Sequence, residues 1–391
     1  MWIQRTIAPR LAQLAAQRPA LVLTGARQTG KTALLRHQFP EHTFVSLDLP
    51  SAAREAETDP ASFLSRYPPP VVVDEVQYAP GLFRHVKASI DADRGTNGRF
   101  ILTGSQRFGL MHAVSDSLAG RVAVLELETL SVAEIRSVAP AASLETILLR
   151  GGYPELWAEP TLDARAFYNA YIATWLERDL RTLLRVASLR DFERFLRACA
   201  LRSGQLLNQS DLARDVGVSG STAREWLNAL VATGVVALLE PWFRNQTKSL
   251  TKTPKLYFCD TGLLAALINL DPSTPQALHE SPLRGALFET AAYCELRRAL
   301  GLRDELASLS FYRDRDTEVD FVLHRAGRFE LTECRWTEHP DRQDARGLHK
   351  AAERLGEDTI ARRTIVCRTP HAFPLEPGLM AAPLETLSGA R

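Results

Sequence analysis

Residues 20–32 read ALVLTGARQTGKT, and this stretch decides the fold of the 391-residue chain. The apolar run from Leu21 to Leu23 predicts a buried strand, and the pattern from Ala33 to Gln38 predicts a helix. Between them, the spacing Gly25-x4-Gly30-Lys31-Thr32 is the signature of a phosphate-binding loop. We therefore expect a nucleotide to bind where this strand passes into this helix.

The residue types of this loop suit phosphate binding. Glycines let backbone N–H groups turn inward around a phosphate, and the helix start adds its positive end. Lys31 is expected to reach the β- and γ-phosphates, and the Thr32 hydroxyl to ligate Mg²⁺. The predicted nucleotide-binding residues are Gly25, Ala26, Arg27, Gln28, Thr29, Gly30, Lys31 and Thr32.

A second predicted strand carries an acidic pair at its end. Pro68-Pro69-Pro70 enforces extended chain, and Val71-Val72-Val73 then runs into Asp74-Glu75. This pattern is typical of a Walker B strand, although an acidic pair after a strand also occurs as a solvated turn. We predict that Asp74 holds Mg²⁺ and that Glu75 polarises the attacking water.

A third group of candidate residues, Gly104-Ser105-Gln106, follows the predicted strand Phe100 to Thr103. In additional-strand ATPases this strand lies between the Walker A and Walker B strands, and a polar residue at its tip senses the γ-phosphate. Ser105 is the candidate for that role, with Thr103 and Gln106 near it. A Gly-Ser turn is the alternative.

Arg121 precedes the predicted strand Val122 to Leu127, where many such ATPases place an arginine finger. A guanidinium there would neutralise charge on the phosphoryl group bound by a neighbouring subunit. The alternative is a salt-bridged arginine at a strand start. Five strands with intervening helices predict a doubly wound parallel sheet with all these tips on one edge.

The region from Ser131 to Arg185 is helical in pattern and is interrupted at Gly151-Gly152-Tyr153-Pro154. We interpret it as a helical lid that packs over the nucleotide.

The composition is that of an ordinary globular protein, with 45% hydrophobic and 24% charged residues. The net charge of +1 excludes a global basic field, so any nucleic-acid surface must be a local patch. The five cysteines are scattered without metal-ligand spacing, which favours a reducing cytoplasm. No apolar run is long enough to span a bilayer, and we expect no membrane association.

Residues 192–240 show a helix, a second helix, a glycine turn, a third helix and a strand, the pattern of a helix-turn-helix with a wing. The last helix is expected to present Ser221, Thr222, Arg224 and Asn228, and the wing to hold a basic cluster of Arg244, Asn245, Lys248, Lys252 and Lys255. We predict contacts to DNA from Arg224, Arg244, Lys248 and Lys252. Protein docking is the alternative, since the same helix carries Glu225 and Trp226.

The last third reads helix, three strands, helix, strand. The predicted segments are Pro282 to Leu300, Leu306 to Tyr312, Glu318 to Leu323, Arg328 to Glu333, about Arg342 to Arg354, and Thr364 to Cys367. This order resembles the restriction-endonuclease-like core, whose carboxylates hold Mg²⁺ and whose motif is Asp followed by Glu-x-Lys.

Asp320, Glu333 and Arg335 stand at the positions of that motif. Because arginine stays protonated, it is a poor proton acceptor, and hydrolysis is less expected than an inactive structural or DNA-binding module. Glu289, Asp320 and Glu333 are candidates for a second metal site, with stabilisation of the sheet edge as the alternative.

Together the motifs resemble those of a large bacterial and archaeal family of AAA-type ATPases with a C-terminal domain of unknown function. The matching segments are residues 25–32, Asp74 to Gln77, Leu102 to Ser105, Leu118 to Arg121, Gly151 to Glu155, Glu177 to Asp179, Lys255 to Leu263 and Glu318 to Val322. The resemblance implies ATP binding, hydrolysis, a winged helix and a nuclease-like end. Arg335 departs from it, because many relatives would have Lys.

The predicted fold is α/β and comprises four parts. They are a P-loop AAA-type core with a five-stranded parallel sheet at 1–130, a lid at 131–187, a winged helix at 188–255 and a restriction-endonuclease-like domain at 256–391. We predict a Mg²⁺-dependent ATPase that is ring-forming or otherwise oligomeric and acts on DNA, with Glu75, Lys31, Ser105 and Arg121 as catalytic residues. An ATP-controlled protein-docking switch and an ATP-regulated nuclease are the alternatives.

Overall fold

The computed structural model describes residues 1–104, 117–175, 189–243, 253–302 and 306–388. It divides into two compact units. The first comprises residues 2–130 with 232–234, and the second comprises residue 1, residues 131–231 and residues 235–391. No helix in the described part of the chain is long and apolar enough to cross a membrane.

Within its described residues, the first unit contains one sheet of five parallel strands in the order β2-β3-β4-β1-β5. The strands are β1 Ala20–Thr24, β2 Thr43–Ser46, β3 Val71–Asp74, β4 Phe100–Thr103 and β5 Val122–Glu126. The predicted doubly wound parallel sheet is therefore confirmed, and β4 lies between β1 and β3 as the sequence indicated. Strands β1, β3 and β4 are buried along their whole length, which explains their continuous apolar pattern.

The helices of this unit pack on the sheet. They are α1 Ala8–Gln17, α2 Lys31–Gln38, α3 Pro50–Thr58, α4 Pro60–Arg66 and α5 Leu82–Ala92. Helices α3 and α4 are separated at Asp59, which caps α4 by accepting a hydrogen bond from the Ser62 N–H. Phe63 of α4 is fully buried in the core beside the sheet.

The strand register sets which tips meet. Ala20 is level with both Phe100 and Val122, so the carboxyl ends of β1, β3 and β4 lie at one edge. Arg121 precedes Val122 and therefore lies at the opposite, amino edge. This corrects the expectation that all the predicted tips share one edge, since a residue before a parallel strand and a residue after one are separated by the strand's length.

The second unit begins with four helices, α6 Val132–Val138, α7 Leu144–Arg150, α8 Pro154–Ala158 and α9 Ala164–Trp175. Helix α6 starts in a capping box, in which the Ser131 side chain accepts from the Glu134 N–H and the Glu134 carboxylate accepts from the Ser131 N–H. The interruption at residues 151–154 separates α7 from α8, as predicted.

A small helical and sheet region follows. It contains α10 Leu189–Ala200, α11 Gln209–Val216 and α12 Gly220–Ala232, with β6 Gln205–Leu206, β7 Val236–Leu239 and β8 Lys255–Phe258. In the described residues these strands form an antiparallel sheet in the order β6-β8-β7. The predicted domain boundary between residues 255 and 256 falls within β8.

The C-terminal region contains α13 Thr261–Leu267, α14 Arg284–Gly301, α15 Arg346–Leu355 and six described strands in the order β13-β14-β12-β11-β10-β9. The strands are β9 Ala307–Asp314, β10 Thr317–Arg325, β11 Arg328–Cys334, β12 Ile360–Val366, β13 Phe373–Glu376 and β14 Leu379–Ala382. Strands β9 to β11 are antiparallel, and β12 runs parallel to β11. Strands β13 and β14 were not predicted, and α15 begins after a turn in which Asp341 accepts from the N–H groups of Gln343 and Asp344.

Candidate functional site: a phosphate-binding loop and two buried polar clusters

In the loop between β1 and α2, the backbone adopts positive φ angles at two glycines. Gly25 adopts φ +146° and Gly30 adopts φ +90°. A Cβ at Gly25 would overlap the carbonyl oxygen of Leu127, so only glycine fits there. Residues 25–32 thus form a tight turn that ends at the start of α2.

Lys31 lies inside this loop and is buried. Its Nζ donates to the carbonyl oxygens of Gly25 at 2.9 Å and Ala26 at 2.8 Å. The ammonium group is therefore held within the curve of the loop, where the sequence predicted that it would meet phosphate oxygens.

Thr32 and Asp74 meet across α2 and β3. The Thr32 hydroxyl donates to Asp74 Oδ2 at 2.7 Å. Burial raises the pKa of Asp74 and the neighbouring Glu75 charge adds to this, while the Thr32 hydrogen bond and Lys31 oppose it. A hydroxyl and a carboxylate are hard oxygen donors, so the pair fits the requirements of Mg²⁺.

Glu75 follows β3 in a left-handed conformation with φ +56°. Its N–H donates to Asp74 Oδ1 at 3.1 Å, and the Gln77 side-chain amide donates to Glu75 Oε2. A non-glycine residue in this backbone region is uncommon and is often found at functional sites. The structure thus assigns Gln77 a contact that the sequence did not predict, since a polar residue two positions beyond an acidic pair carries no signal by itself.

The structure describes only some of the residues expected to sense the γ-phosphate or to act as an arginine finger. Ser105 and Gln106 lie outside the described residues. Thr103, at the carboxyl end of β4, is fully buried, and its hydroxyl has no hydrogen-bond partner in the described structure. Arg121 forms a two-point ion pair with Asp91, with Nε at 2.8 Å from Oδ1 and Nη2 at 3.1 Å from Oδ2.

Arg5 is a residue of this site that sequence reasoning missed. It is 6% exposed, and its guanidinium donates to the carbonyl oxygens of Thr29 at 2.9 Å, Glu128 at 2.6 Å and Thr129 at 3.3 Å. One side chain therefore ties the phosphate-binding loop to the segment after β5. The indication in the sequence is weak: Arg5 lies between two apolar residues, Ile3 and Ile7. Both of these are buried in the structure.

The predicted DNA-contacting residues are only partly described. Ser221, Arg224 and Asn228 are exposed on α12, and Thr222 is half-buried. Trp226 of the same helix packs against Phe192 and Phe195 at ring distances of 5.1 and 5.5 Å. The remaining predicted residues, Arg244, Lys248 and Lys252, lie outside the described residues.

Lys255 does not belong to an exposed basic cluster. It begins β8 with a side chain that is 3% exposed, and its Nζ lies 2.8 Å from Glu318 Oε1, 3.1 Å from Glu289 Oε1 and 3.5 Å from Asp320 Oδ1. The expectation of a wing lysine at this position is therefore corrected. Its place at the head of an apolar strand was the signal that it points inward.

The residues expected to form a second metal site, Glu289, Asp320 and Glu333, have cationic partners in the structure. Glu333 Oε1 pairs with Arg335 Nη1 at 2.6 Å, whereas Glu289 and Asp320 face Lys255. In the part of the chain that the structure describes, no group of three His, Cys, Asp or Glu residues is arranged to hold a metal ion. Lys255 and Arg335 thus form ion pairs with these carboxylates, and Glu333 Oε2 is buried without a hydrogen-bond partner in the described structure.

Two of the quoted motifs meet in a second buried cluster. Asp260 accepts from the Gly152 N–H at 2.8 Å, the Tyr168 hydroxyl at 2.9 Å and the Leu263 N–H at 2.9 Å, and the last bond caps α13. Tyr168 also lies 2.9 Å from the Arg150 carbonyl oxygen. The segments at 151–155 and 255–263 are therefore structural partners.

Three protein-family models match separate parts of the chain. Residues 17–136 match the AAA domain, residues 141–274 match a domain of unknown function (DUF8612), and residues 284–387 match another domain of unknown function (DUF4143).

The structural comparisons include the Walker-type ATPase of Pyrococcus abyssi, with a TM-score of 0.47 and 17% identity over 68% of this chain and 96% of that chain. They also include the Thermotoga maritima RuvB Holliday junction branch migration motor, with a TM-score of 0.30 and 15% identity over 64% and 95% of the two chains. Because both TM-scores are below 0.5, the family assignment rests on the sequence relatives and on the strand order of the five-stranded sheet.

Two curated relatives have a higher sequence identity to this chain. An uncharacterized protein of Mycobacterium bovis and one of Mycobacterium tuberculosis are each 34% identical over 389 residues, which covers 98% of this chain and 84% of the relative. With the AAA match over the first unit and the five-stranded order found there, these relatives assign the chain. The chain belongs to the family of AAA-type P-loop ATPases that carry C-terminal domains of unknown function.

Proposed function

We propose that this protein binds ATP with Mg²⁺, hydrolyses it, works as an oligomer and acts on DNA. The observation that carries the ATPase part is the 2.7 Å hydrogen bond from Thr32 to Asp74, beside the buried Lys31. Lys31 and the loop amides would hold phosphates, and Thr32 and Asp74 would hold Mg²⁺. The bound cation would offset phosphate charge, and Glu75 would orient the attacking water.

The hydrolysis part is tested with Glu75→Gln. This change keeps the size of the side chain and removes its capacity to accept a proton. We expect ATP turnover to fall at least about tenfold while nucleotide binding, followed with a fluorescent ATP analogue, stays within twofold. Normal turnover in this variant would remove Glu75 from the assigned role.

The DNA part is supported by α11, α12 and the β6-β8-β7 sheet, an order of elements compatible with a winged helix. Arg224, Ser221 and Asn228 are exposed together on α12, where a recognition helix would present them. We expect DNA to stimulate ATP turnover and the effect to weaken as salt rises, because phosphate contacts release counterions. Absence of DNA binding at low salt, with or without ATP, would leave the protein-docking switch as the better reading.

The oligomer part rests on Arg121. At the amino edge of the sheet this residue is separated from the loop of its own subunit by the length of β5, so a role in hydrolysis requires a neighbour. Its ion pair with Asp91 would have to open when the neighbour's nucleotide approaches. Mass measurements with and without ATP are expected to reveal a larger, ATP-dependent species, and a monomer under both conditions would exclude action in trans.

The proposed compartment is the cytoplasm. All five cysteines are buried and remain as thiols, as a reducing environment allows.

A further inference from the structure

The C-terminal sheet domain holds a buried lysine among carboxylates. Lys255 reaches the cluster from β8, Glu289 comes from α14, and Glu318 and Asp320 come from β10. The three oxygens nearest Lys255 Nζ lie at 2.8, 3.1 and 3.5 Å. An ammonium group this deeply buried requires such partners, because its desolvation is costly.

Two neighbouring groups donate further hydrogen bonds to these carboxylates. Glu289 Oε1 accepts from the Tyr257 hydroxyl at 2.5 Å, and Asp320 Oδ2 accepts from the Cys334 N–H at 2.9 Å. Burial and the Glu289 carboxylate raise the pKa of Tyr257, so its phenol stays protonated and donates. Both carboxylates are thereby oriented toward Lys255 by neighbouring donors.

A fourth carboxylate, that of Glu333, pairs with an arginine. Arg335 Nη1 lies 2.6 Å from Glu333 Oε1, and Arg335 Nε lies 3.1 Å from Asp344 Oδ1, which fixes the guanidinium from its other side. Lys255 and Arg335 together supply two positive charges, the charge of one divalent cation. A cation bridging Glu289 and Asp320 would need the space that Lys255 Nζ occupies.

We propose that the Lys255 ammonium group, assisted by Arg335, permanently replaces a divalent cation in this carboxylate cluster. The C-terminal domain therefore works without a metal ion and has no metal-assisted phosphodiester cleavage of its own. Burial opposes the charge on Lys255, but Glu289, Asp320 and Glu318 outweigh it and raise its pKa, so the ammonium stays charged. The inference is independent of ATP hydrolysis and of DNA binding.

The test counts bound Mn²⁺ by electron paramagnetic resonance in the full chain without nucleotide. Thr32→Ala and Asp74→Asn are introduced throughout to remove the metal donors of the phosphate-binding loop. With Lys255 present we expect no bound Mn²⁺ at the C-terminal cluster. Binding of one equivalent that disappears on adding Asp320→Asn would overturn the proposal.

The converse experiment removes the ammonium group. In Lys255→Met we expect one equivalent of Mn²⁺ to bind and to be lost again with Asp320→Asn. Lys350→Met is the matched control, because Lys350 is an exposed lysine paired with Asp316 at 2.8 Å and its loss should create no site. A folded Lys255→Met chain without Mn²⁺ would also contradict the proposal. If Lys255→Met does not fold, Lys255→Gln replaces it. The Mn²⁺ count in the chain that retains Lys255, with and without Asp320→Asn, also tests the proposal by itself.

Discussion

The Thr32 hydroxyl donates to Asp74 Oδ2 at 2.7 Å and joins two motifs that are 42 positions apart in the sequence. Thr32 lies in the first turn of α2, and Asp74 ends β3. Since β4 separates β1 from β3, the two motifs meet only because α2 begins at the carboxyl edge where β3 also ends. This contact places two oxygen donors beside Lys31.

Thr32→Val tests that pair. Valine keeps the shape of threonine but removes the hydroxyl, so we expect the Mg²⁺ concentration needed for half-maximal ATP turnover to rise about tenfold or more, equivalent to about 1.4 kcal/mol. Thr32→Ser keeps the hydroxyl and is the control, with a rise below threefold. Equal Mg²⁺ requirements in the three proteins would contradict a metal role for Thr32.

Arg5→Ala tests the connection between the N-terminal segment and the loop. The carbonyl oxygens of Thr29, Glu128 and Thr129 would lose a buried donor, and we expect a stability loss of about 1 to 3 kcal/mol together with weaker ATP binding. Urea unfolding and nucleotide titration are the measurements. Arg94→Ala is the control, because Arg94 is exposed and its ion pair with Asp91 lies at the surface. Unchanged ATP affinity in Arg5→Ala would limit Arg5 to a structural role.

Gly151→Ala tests the cluster around Asp260. Gly151 adopts φ +71°, and an added Cβ would overlap the Tyr168 hydroxyl and lie 2.5 Å from Asp260 Oδ1. Gly217→Ala is the comparison variant, with φ +81°, ψ +33° and nothing within 4 Å of the added Cβ, whereas Gly151 has ψ −170°. We expect a loss of about 1 to 2 kcal/mol in the control, from the backbone conformation alone. The Gly151 variant should lose about 1 to 3 kcal/mol more, from overpacking and from a combination of φ and ψ that is nearly exclusive to glycine.

Thermal or urea unfolding of the two glycine variants measures this difference. Equal losses would show that the Asp260 and Tyr168 contacts tolerate a Cβ, which is incompatible with the described packing.

The pH dependence of stability reports on Glu289. Burial and the Asp320 charge raise the pKa of Glu289 from its usual 4.5 to about 7, against the opposing effects of Lys255 and Tyr257. Between these two pH values the folded chain binds a proton here that the unfolded chain has lost. Stability contributed by this proton is complete below pH 4.5 and is lost as pH rises through 7.

Glu289→Gln should therefore flatten the decline in the urea midpoint between pH 5 and about 7.5, since glutamine does not titrate. Glu353→Gln, at an exposed position of α15, should leave the decline as it is in the unaltered protein. An unchanged decline in Glu289→Gln would assign the pH dependence to another group.

The sequence by itself determined the local chemistry. Periodicity predicted the five strands of the first unit, and the spacing of residues 25–32 and of the acidic pair at the end of β3 predicted the phosphate-binding loop and its partners. These features are local, since each depends on neighbouring residues along one strand, loop or helix.

Only the tertiary structure decided the long-range partners. Lys255 resembles a wing lysine in sequence, but β8 directs it into carboxylates that follow 34 and 65 positions later. Arg5 acquires its partners only when the segment after β5 returns to the loop. No periodicity encodes such contacts, because burial and charge pairing depend on how separate elements pack, and that packing determines whether a charged side chain faces solvent or an opposite charge.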